Sequence, residues 1–250
     1  MPHLLIDIGN SSAKVALAAG GAIGESRRMA HGEMTDGICR LAKENGADKA
    51  AISSVAADPG ELCEALRAIG VEVICLSADT PLPFRLGYCS PDTLGADRMA
   101  AVAGAMALHP HRNILIADAG SCITYEFLTA GGIYLGGNIA PGLSMRLRAM
   151  HEHTARLPMV KLEGEVPPIG YTTDTALRSG ALMGIRHEVE GYLHYMQAHY
   201  DGTLVLLTGG DAKYIAPLLD VEAETDERLV MRGLEYIIMY NEKNRDGEKK

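Results

Sequence analysis

The chain has 250 residues, of which 47% are hydrophobic and 22% charged, and its 32 acidic and 23 basic side chains give a net charge of −9. These figures are typical of a globular protein and exclude a disordered or fibrous one. The acidic balance argues against general binding to nucleic acid or to an anionic membrane, because neither surface gains from an acidic partner. An anionic substrate would have to be held locally, by arginine or by backbone N–H groups.

The first half of the chain is predicted to form three consecutive strands followed by alternating helices and strands. A Gly-Asn turn joins the first two strands, and a Gly-Gly pair at 20–21 joins the second strand to the third. This order predicts a mixed sheet with helices packed on it. The expected strands cover residues 3–7, 13–19, 22–29, 49–55 and 71–76, and the expected helices cover residues 34–45 and 61–69.

The same pattern begins again in the second half. The run from Leu5 to Gly9 aligns with the run from Ile116 to Gly120 at an offset of 111 residues, and both runs contain Asp-x-Gly. Asp-x-Gly recurs by chance at strand ends, but here the whole order of strand, turn, strand, Gly-Gly and strand recurs. We therefore interpret the chain as an internal duplication of one fold, with domains at 1–111 and 112–250. The expected strands here cover residues 113–118, 123–128, 133–136 and 203–207, and the helices cover 143–153, 175–199 and 227–241.

Cysteine usage and apolar segments favour a cytoplasmic protein. The five cysteines are odd in number and widely spaced, and none forms C-x-x-C, which favours reduced thiols over a zinc site or a disulfide framework. The longest apolar stretch, residues 99–108, is about half the roughly 20 residues that span a bilayer. Asp7 interrupts the apolar N-terminal residues, and no cleavage pattern follows. No membrane or nucleic-acid partner is therefore expected.

The turn that follows the first strand has the composition of a phosphate-binding loop. Glycine allows a tight turn that exposes backbone N–H groups, and asparagine and serine add side-chain donors for phosphate oxygens. Asp7, at the strand end, can hold Mg²⁺ directly or through water. An ordinary Asn-capped hairpin would contain the same residues, so the turn is ambiguous on its own. The candidate ligand-binding residues are Asp7, Gly9, Asn10, Ser11, Ser12 and Lys14.

Two further glycine turns follow apolar strands. Asp118-Ala119-Gly120-Ser121 matches the first turn in the other half, and Thr208-Gly209-Gly210-Asp211 adds a third. Because ligands gather at the carboxyl ends of strands, the three turns predict a nucleotide site, with phosphates at the first two and adenine or ribose near the third. The sequence contains neither G-x-x-x-x-G-K-[ST] nor G-x-G-x-x-G, which excludes a P-loop and a Rossmann site.

A separate motif, Gly95-Ala96-Asp97-Arg98, opens an Ala-rich helix. An aspartate in this position commonly caps a helix and interacts with its dipole. The functional alternative makes Asp97 a general base and Arg98 an anchor for a substrate carboxylate, whose two oxygens match the guanidinium fork.

The ordered set of motifs resembles the type III pantothenate kinases, which belong to the superfamily of acetate and sugar kinases, heat-shock chaperone ATPases and actin. Each motif is weak alone, but together they run in family order over most of the chain. They are 7–11, 95–98, 118–121, 137–142, 154–158, Thr175-Ala176 with Ser179-Gly180 and Gly184, and 207–210. The resemblance implies an α/β fold of two duplicated actin-like (ribonuclease H-like) ATPase domains, each a mixed five-stranded sheet flanked by helices.

The resemblance also implies ATP-dependent phosphorylation of pantothenate to 4′-phosphopantothenate, the first step of coenzyme A biosynthesis, by a homodimer with substrate pockets near the subunit interface. Asp97 would be the catalytic base, with Mg²⁺ near Asp7 and a monovalent cation, K⁺ or NH₄⁺, at Asp118. ATP would be held by the turn from Asp7 to Lys14 and by Ser121, Gly209 and Gly210. Pantothenate would be bound by Tyr88, Gly95, Ala96, Asp97, Arg98 and Thr175.

The chain departs from the family pattern at three positions. Ser11 and Ser121 stand where the family usually has threonine, and both keep a hydroxyl. Asp174 stands where the family often has asparagine, and it adds a negative charge at the edge of the expected substrate pocket.

Two alternative functions remain open from the sequence. One is a kinase for another small hydroxy compound on the same fold. The other is a catalytically weak or non-catalytic regulatory relative. The regulatory alternative predicts the loss of an acid at Asp7, Asp97 or Asp118, and all three acids are present.

Overall fold

A computed structural model describes residues 1–55 and 58–247 of the chain. The chain folds into two compact units, one made of residues 1–110 together with 228–250 and the other of residues 111–227. Each unit contains its own hydrophobic core. No helix in the described ranges is long and apolar enough to cross a bilayer.

The elements of the first unit surround one mixed sheet. They are strands β1 (His3–Ile8), β2 (Ala13–Ala19), β3 (Ala22–Ile23), β4 (Arg27–Met29), β5 (Lys49–Ser54), β6 (Glu72–Cys75) and β7 (Arg85–Leu86), and helices α1 (Met34–Asn45), α2 (Gly60–Ala68), α3 (Ala96–Leu108) and α7 (Leu229–Gly247). Six of these strands form the sheet, in the order β3-β2-β1-β5-β6 with β4 also paired with β2, and β7 is not part of it. The sheet thus has one strand more than the five expected. Alternate β1 residues enter two cores: Leu4 packs with residues of α1 and α2, and Leu5 packs with residues of α3 and α7. Helices on both faces thus explain why β1 is almost continuously apolar.

The elements of the second unit follow the same plan. They are strands β8 (Ile114–Ala119), β9 (Cys122–Leu128), β10 (Ile133–Pro141), β11 (Leu204–Thr208) and β12 (Ala223–Thr225), and helices α4 (Leu143–Glu152), α5 (Thr173–Gln197) and α6 (Ala212–Ile215). The strands lie in the order β10-β9-β8-β11-β12. In both units the first strand is antiparallel to the second and parallel to a later one. The predicted fold, two mixed sheets flanked by helices, is confirmed.

Two strands differ from their predicted bounds by more than one residue at an end. The strand expected over residues 22–29 is broken into β3 and β4, because its pairing with β2 shifts by one residue between them. Ile23 pairs with Ala18, whereas Arg27 pairs with Val15. The strand expected over 133–136 instead continues to Pro141, and its pairing with β9 reaches Cys122.

The C-terminal helix α7 belongs to the first unit, whereas the sequence analysis assigned it to the domain at 112–250. It packs on α3 at two glycines that let the backbones approach closely. A Cβ on Gly104 would overlap the Leu229 carbonyl, and a Cβ on Gly233 would overlap the Ala100 carbonyl. The duplicated motifs carried no information about this pairing, because neither glycine lies within them.

The cysteine prediction is wrong for one pair. Cys63 of α2 and Cys75 of β6 form a disulfide, whereas all five cysteines were expected to be thiols. Both residues contribute to the core beneath α1 and α2, so packing brings together two cysteines that are widely spaced in sequence. The free cysteines are Cys39, Cys89 and Cys122.

The disulfide predicts the thiol count of the purified protein. In denaturant without reductant, titration with Ellman's reagent should find the three free thiols, and after reduction it should find all five. The Cys63→Ser variant should release Cys75 and so gain one thiol without reductant. Five thiols in the unreduced wild-type protein would contradict the disulfide.

Candidate active site

Asp7 lies near the end of β1, between two neighbouring strands. It is in register with Lys14 of β2 and Ser53 of β5, so the three side chains project from one face of the sheet. Ser53 is fully buried, and its hydroxyl donates to Asp7 Oδ1 at 2.6 Å. Burial raises the pKa of the Asp7 carboxyl, while the Ser53 hydrogen bond and Lys14 oppose part of that shift. A cation at this carboxylate would favour its charged form.

The turn after β1 presents two polar residues to solvent. The Gly9 N–H donates to the Ser12 carbonyl at 3.2 Å, which closes the turn around Asn10 and Ser11. Asn10 and Ser11 are exposed, whereas Ser12 is half-buried. The Gly9 amide is therefore used inside the turn, and Asn10 and Ser11 are the residues best placed to meet a phosphate.

The second candidate centre is the first turn of α3. Gly95 precedes the helix, Ala96 is its first residue, and Asp97 Oδ1 accepts the Arg98 backbone N–H at 2.8 Å. The helix dipole favours the charged form of a carboxylate at this position. Arg98 is buried, and its guanidinium lies over the ring of Tyr88, 5.7 Å from the centroid. The structure thus brings Tyr88, Asp97 and Arg98 together.

In the second unit, Asp118 lies at the end of β8 beside the third glycine turn. Asp118 is in register with Thr208 of β11, and Gly209 follows directly. Gly209 has a φ of +88°, and a Cβ there would lie 2.6 Å from Asp118 Oδ1 and would overlap the Ala119 carbonyl. Gly210 is exposed. The turn therefore packs against the strand end that carries Asp118, and only glycine fits at position 209.

The Ser121 turn is supported by the stretch at 137–142, one of the motifs that resemble the family. The Gly142 N–H donates to the Ser121 carbonyl at 3.2 Å. A Cβ on Gly142 would lie 2.6 Å from the same carbonyl oxygen and would overlap the Gly120 carbonyl. The Ser121 residue itself is exposed. A glycine at 142 thus lets β10 end directly against this turn.

Thr175 has a structural role that the sequence analysis did not predict. It is the third residue of α5, and its hydroxyl accepts the N–H of Thr172 at 2.9 Å and that of Tyr171 at 3.1 Å. The Thr172 hydroxyl accepts the Thr175 N–H in return, which completes a capping box. The contact between Thr175 and pantothenate stays a prediction, and Asp174 beside it is exposed.

The capping role predicts a stability change. Thr175→Val should lower the free energy of unfolding by about 1–2 kcal/mol, because the isosteric side chain cannot accept the two amides. Thr175→Ser keeps the hydroxyl and should stay within about 0.5 kcal/mol of the wild type. Urea unfolding of the three proteins measures the difference, and a valine variant as stable as the serine variant would contradict the capping role.

Sequence reasoning missed two residues that touch the candidate site. Ser53 bonds to Asp7, and its signal was a buried strand ending in Ser-Ser next to β1. Gly142 lies within the motif at 137–142, but its contact with the Ser121 carbonyl could not be predicted from the sequence. Across residues 1–55 and 58–247, no group of three or more His, Cys, Asp or Glu side chains is placed to hold a metal ion. Mg²⁺ does not require such a group, since it is usually bound by one or two carboxylates and substrate phosphates.

A model of the type III pantothenate kinase family matches residues 3–195. The chain belongs to this family. Relatives named type III pantothenate kinase include one from Phocaeicola vulgatus, 39% identical over 241 residues, and one from Bacteroides fragilis, 42% identical over 240 residues. Both alignments cover 96% of this chain, and they cover 99% and 98% of the respective relatives. The predicted membership of the type III pantothenate kinases is confirmed.

Solved structures share the fold of this family member. A Campylobacter jejuni protein described as a Baf family transcriptional activator is 25% identical, with a TM-score of 0.66 over 96% of this chain and 99% of that chain. A Sinorhizobium meliloti protein described as a 2-dehydro-3-deoxygalactonokinase has a TM-score of 0.58 at 15% identity, over 95% of this chain and 96% of that chain. The second likeness bears on the fold alone, and the predicted actin-like kinase fold is confirmed.

Proposed function

We propose that the protein transfers the γ-phosphoryl group of ATP to pantothenate, giving 4′-phosphopantothenate and ADP in the first step of coenzyme A biosynthesis. The observation that carries this proposal is the family match over residues 3–195. The matched range retains the three acids Asp7, Asp97 and Asp118. A regulatory relative has no need of all three, so their retention favours an enzyme.

Asp97 is the general base in this proposal. It takes the proton of the primary hydroxyl of pantothenate, the oxygen attacks the γ-phosphorus in line, and the bond to the bridging oxygen breaks so that ADP leaves. The Arg98 N–H bond to Asp97 Oδ1, 2.8 Å long, supports the role because it orients the carboxylate. An aspartate serves as base in protein kinases, where positioning and charge stabilisation also supply most of the catalysis.

Pantothenate is held next to this base. Arg98 binds its carboxylate, and the Tyr88 ring supports the guanidinium from one side. Gly95 and Ala96 present backbone rather than bulky side chains to the substrate. Thr175 is a further proposed contact of pantothenate, as the resemblance implies, and Asp174 beside it is exposed.

ATP is held by the glycine turns. Asn10, Ser11, Ser12 and Lys14 offer polar groups to its phosphates, and Gly9 shapes their turn through its bond to the Ser12 carbonyl. Ser121 is a further proposed phosphate contact, as the resemblance implies. Gly209 and Gly210 leave the backbone open to the nucleoside. The residues that would contact ATP are therefore those of the three turns at 7–14, 118–121 and 208–211.

Two acidic side chains would hold cations, since carboxylate oxygens are ligands that hard cations such as Mg²⁺ prefer. The Asp7 carboxylate would hold Mg²⁺, directly or through water, and bound Mg²⁺ neutralises charge on the transferring phosphates. The Asp118 carboxylate would hold K⁺ or NH₄⁺. The proposal also includes a homodimer, as the resemblance implies, and a location in the cytoplasm.

Gly95→Ala is expected to lower kcat by roughly a hundredfold, the usual effect of displacing a reacting group by about 1 Å. A Cβ at position 95 would lie 2.6 Å from Asp97 Oδ1, which is too close for both atoms to keep their places. Because the φ of −57° at Gly95 suits alanine, the backbone can stay where it is, and the Asp97 carboxylate must move instead. Stability should therefore be retained. Gly32→Ala is the control, because no atom lies within 4 Å of its added Cβ. A Gly95→Ala variant with wild-type kcat would contradict the placement of the base.

The function itself is tested by an acceptor screen. Purified protein is incubated with ATP and Mg²⁺ in K⁺ or in Na⁺, with pantothenate, acetate or a hexose as acceptor, and ADP release is followed. Turnover with pantothenate alone, and much more of it in K⁺, is the expected result. Turnover with acetate or a hexose would favour another kinase on this fold, and ATP binding without turnover would favour a regulatory relative.

A further inference from the structure

Arg146 of α4 links the end of β10 to α5. Its Nε donates to the Pro141 carbonyl at 2.7 Å, and its Nη2 lies 2.7 and 2.6 Å from the two carboxylate oxygens of Glu188. The side chains of Arg146 and Glu188 are only 17% and 33% exposed. The pair is therefore better shielded from solvent than an ordinary surface ion pair, which contributes little.

Glu188 is itself fixed from a third element. Tyr125 of β9 is fully buried, and its hydroxyl donates to Glu188 Oε2 at 2.6 Å. Burial and, to a smaller extent, the bond to Glu188 raise the pKa of Tyr125. The phenol therefore stays protonated and remains a hydrogen-bond donor. The carboxylate thus has one anchor in the sheet and one on α4.

A glycine on α5 leaves space for the Arg146 guanidinium. Gly184 lies one helical turn before Glu188 on α5, and a Cβ there would lie 3.3 Å from Arg146 Nη1. Gly184 was part of the family pattern, but none of the proposed substrate contacts explains it. A glycine at this position lets the guanidinium pass closely over the helix.

The link continues into the turn that carries Ser121. Gly142 follows the carbonyl that Arg146 holds, and its N–H donates to the Ser121 carbonyl at 3.2 Å. A Cβ on Gly142 would overlap the Gly120 carbonyl, so the two segments are in direct backbone contact. Any shift of the 141–142 segment must therefore move the Ser121 turn.

We propose that Arg146 and Glu188 are positioning residues that hold the 141–142 segment against the Ser121 turn and thereby strengthen ATP binding. The inference rests on the proposed function only in assigning Ser121 to ATP. It does not depend on the identity of the phosphate acceptor.

Calorimetric titration with Mg-ATP tests the proposal on Arg146→Gln, Glu188→Gln and the double variant. Arg146→Gln should weaken the Kd by about tenfold, the size expected for a lost charge-assisted hydrogen bond. Glu188→Gln should weaken it by a smaller factor. The double variant should bind as Arg146→Gln does, because two residues that act through one contact are not additive. The titration also reports stoichiometry, so misfolded protein would reduce the number of sites without changing Kd.

Arg186→Gln is the matched control. Arg186 lies on α5, the helix of Glu188, and pairs with Glu190 at 3.0 Å and with Asp220, but its pairs involve no residue of the 141–142 segment. Its Kd for ATP should stay within about twofold of the wild type. A wild-type Kd in Arg146→Gln, or a double variant whose loss is the product of the single losses, would overturn the proposal.

Two further outcomes remain decisive. If Arg146→Gln does not fold, Glu188→Gln decides alone, since it keeps the size of the side chain and the Arg146 bond to Pro141. A wild-type Kd in that variant would then overturn the proposal. If the wild-type protein binds ATP but does not phosphorylate pantothenate, the proposed function fails, while a weakened Kd in the variants still supports the positioning role.

Discussion

Asp97→Asn should lower kcat for pantothenate phosphorylation by about 10²–10⁴-fold, the range that a positioned general base contributes. The asparagine oxygen can still accept the Arg98 N–H that Asp97 accepts at 2.8 Å, so α3 should begin at the same residue. ATP binding and thermal stability should therefore match the wild type. Steady-state kinetics, combined with calorimetric titration of ATP, separates the loss of turnover from any loss of binding.

Asp58→Asn is the matched control for this substitution. Asp58 lies just before the first turn of α2, and its Oδ1, like that of Asp97, accepts a backbone N–H at a helix start, that of Gly60 at 3.0 Å. It lies outside every motif that resembles the family, so its variant should retain wild-type kcat. A wild-type kcat in Asp97→Asn would remove Asp97 as the base, whatever the control shows.

The second large effect is expected at the third glycine turn. Gly209→Ala should lower the free energy of unfolding by about 2–4 kcal/mol and should also weaken ATP binding. The φ of +88° is unfavourable for alanine, and the new Cβ would collide with the Ala119 carbonyl and approach Asp118 Oδ1 to 2.6 Å. Because the carbonyl belongs to the backbone of β8, the collision cannot be relieved by a side-chain rotation. Urea unfolding and ATP titration measure the two effects.

The neighbouring glycine provides a test within the same turn. Gly210→Ala places a Cβ where no protein atom lies within 4 Å, so stability should change by no more than about 0.5 kcal/mol. A loss of ATP affinity in this variant would then show that the nucleotide itself lies close to the backbone at position 210, as the proposal expects. A Gly209→Ala variant as stable as Gly210→Ala would contradict the packing of this turn on the Asp118 strand.

Local sequence patterns were enough to predict the parts of the site that lie within one element or turn. Asp7 and Asp118 were predicted at strand ends because an apolar run stops at each, and both lie there in the structure. Asp97 was predicted at a helix start from Gly95 and the Ala-rich run that follows, and α3 begins at Ala96. In these cases, the residues that determine the local structure are neighbours in the chain.

Long-range contacts could not be predicted in the same way. The bond from Ser53 to Asp7 depends on the register of two parallel strands, and the pairing of Gly104 with Leu229 depends on a helix crossing. The hydroxyl of Thr175 could serve a substrate or a helix cap, and only the local geometry shows the cap. A single sequence contains the residues for such contacts but not the partner of each one.

The central claim is that this chain phosphorylates pantothenate at the expense of ATP. The most direct test is ³¹P NMR of wild-type protein incubated with ATP, Mg²⁺, K⁺ and pantothenate. We expect a new phosphomonoester signal, coupled to the methylene protons of the primary alcohol, growing as the γ-phosphate signal of ATP declines. An unchanged ATP spectrum, or inorganic phosphate as the sole new signal besides ADP, would contradict the claim.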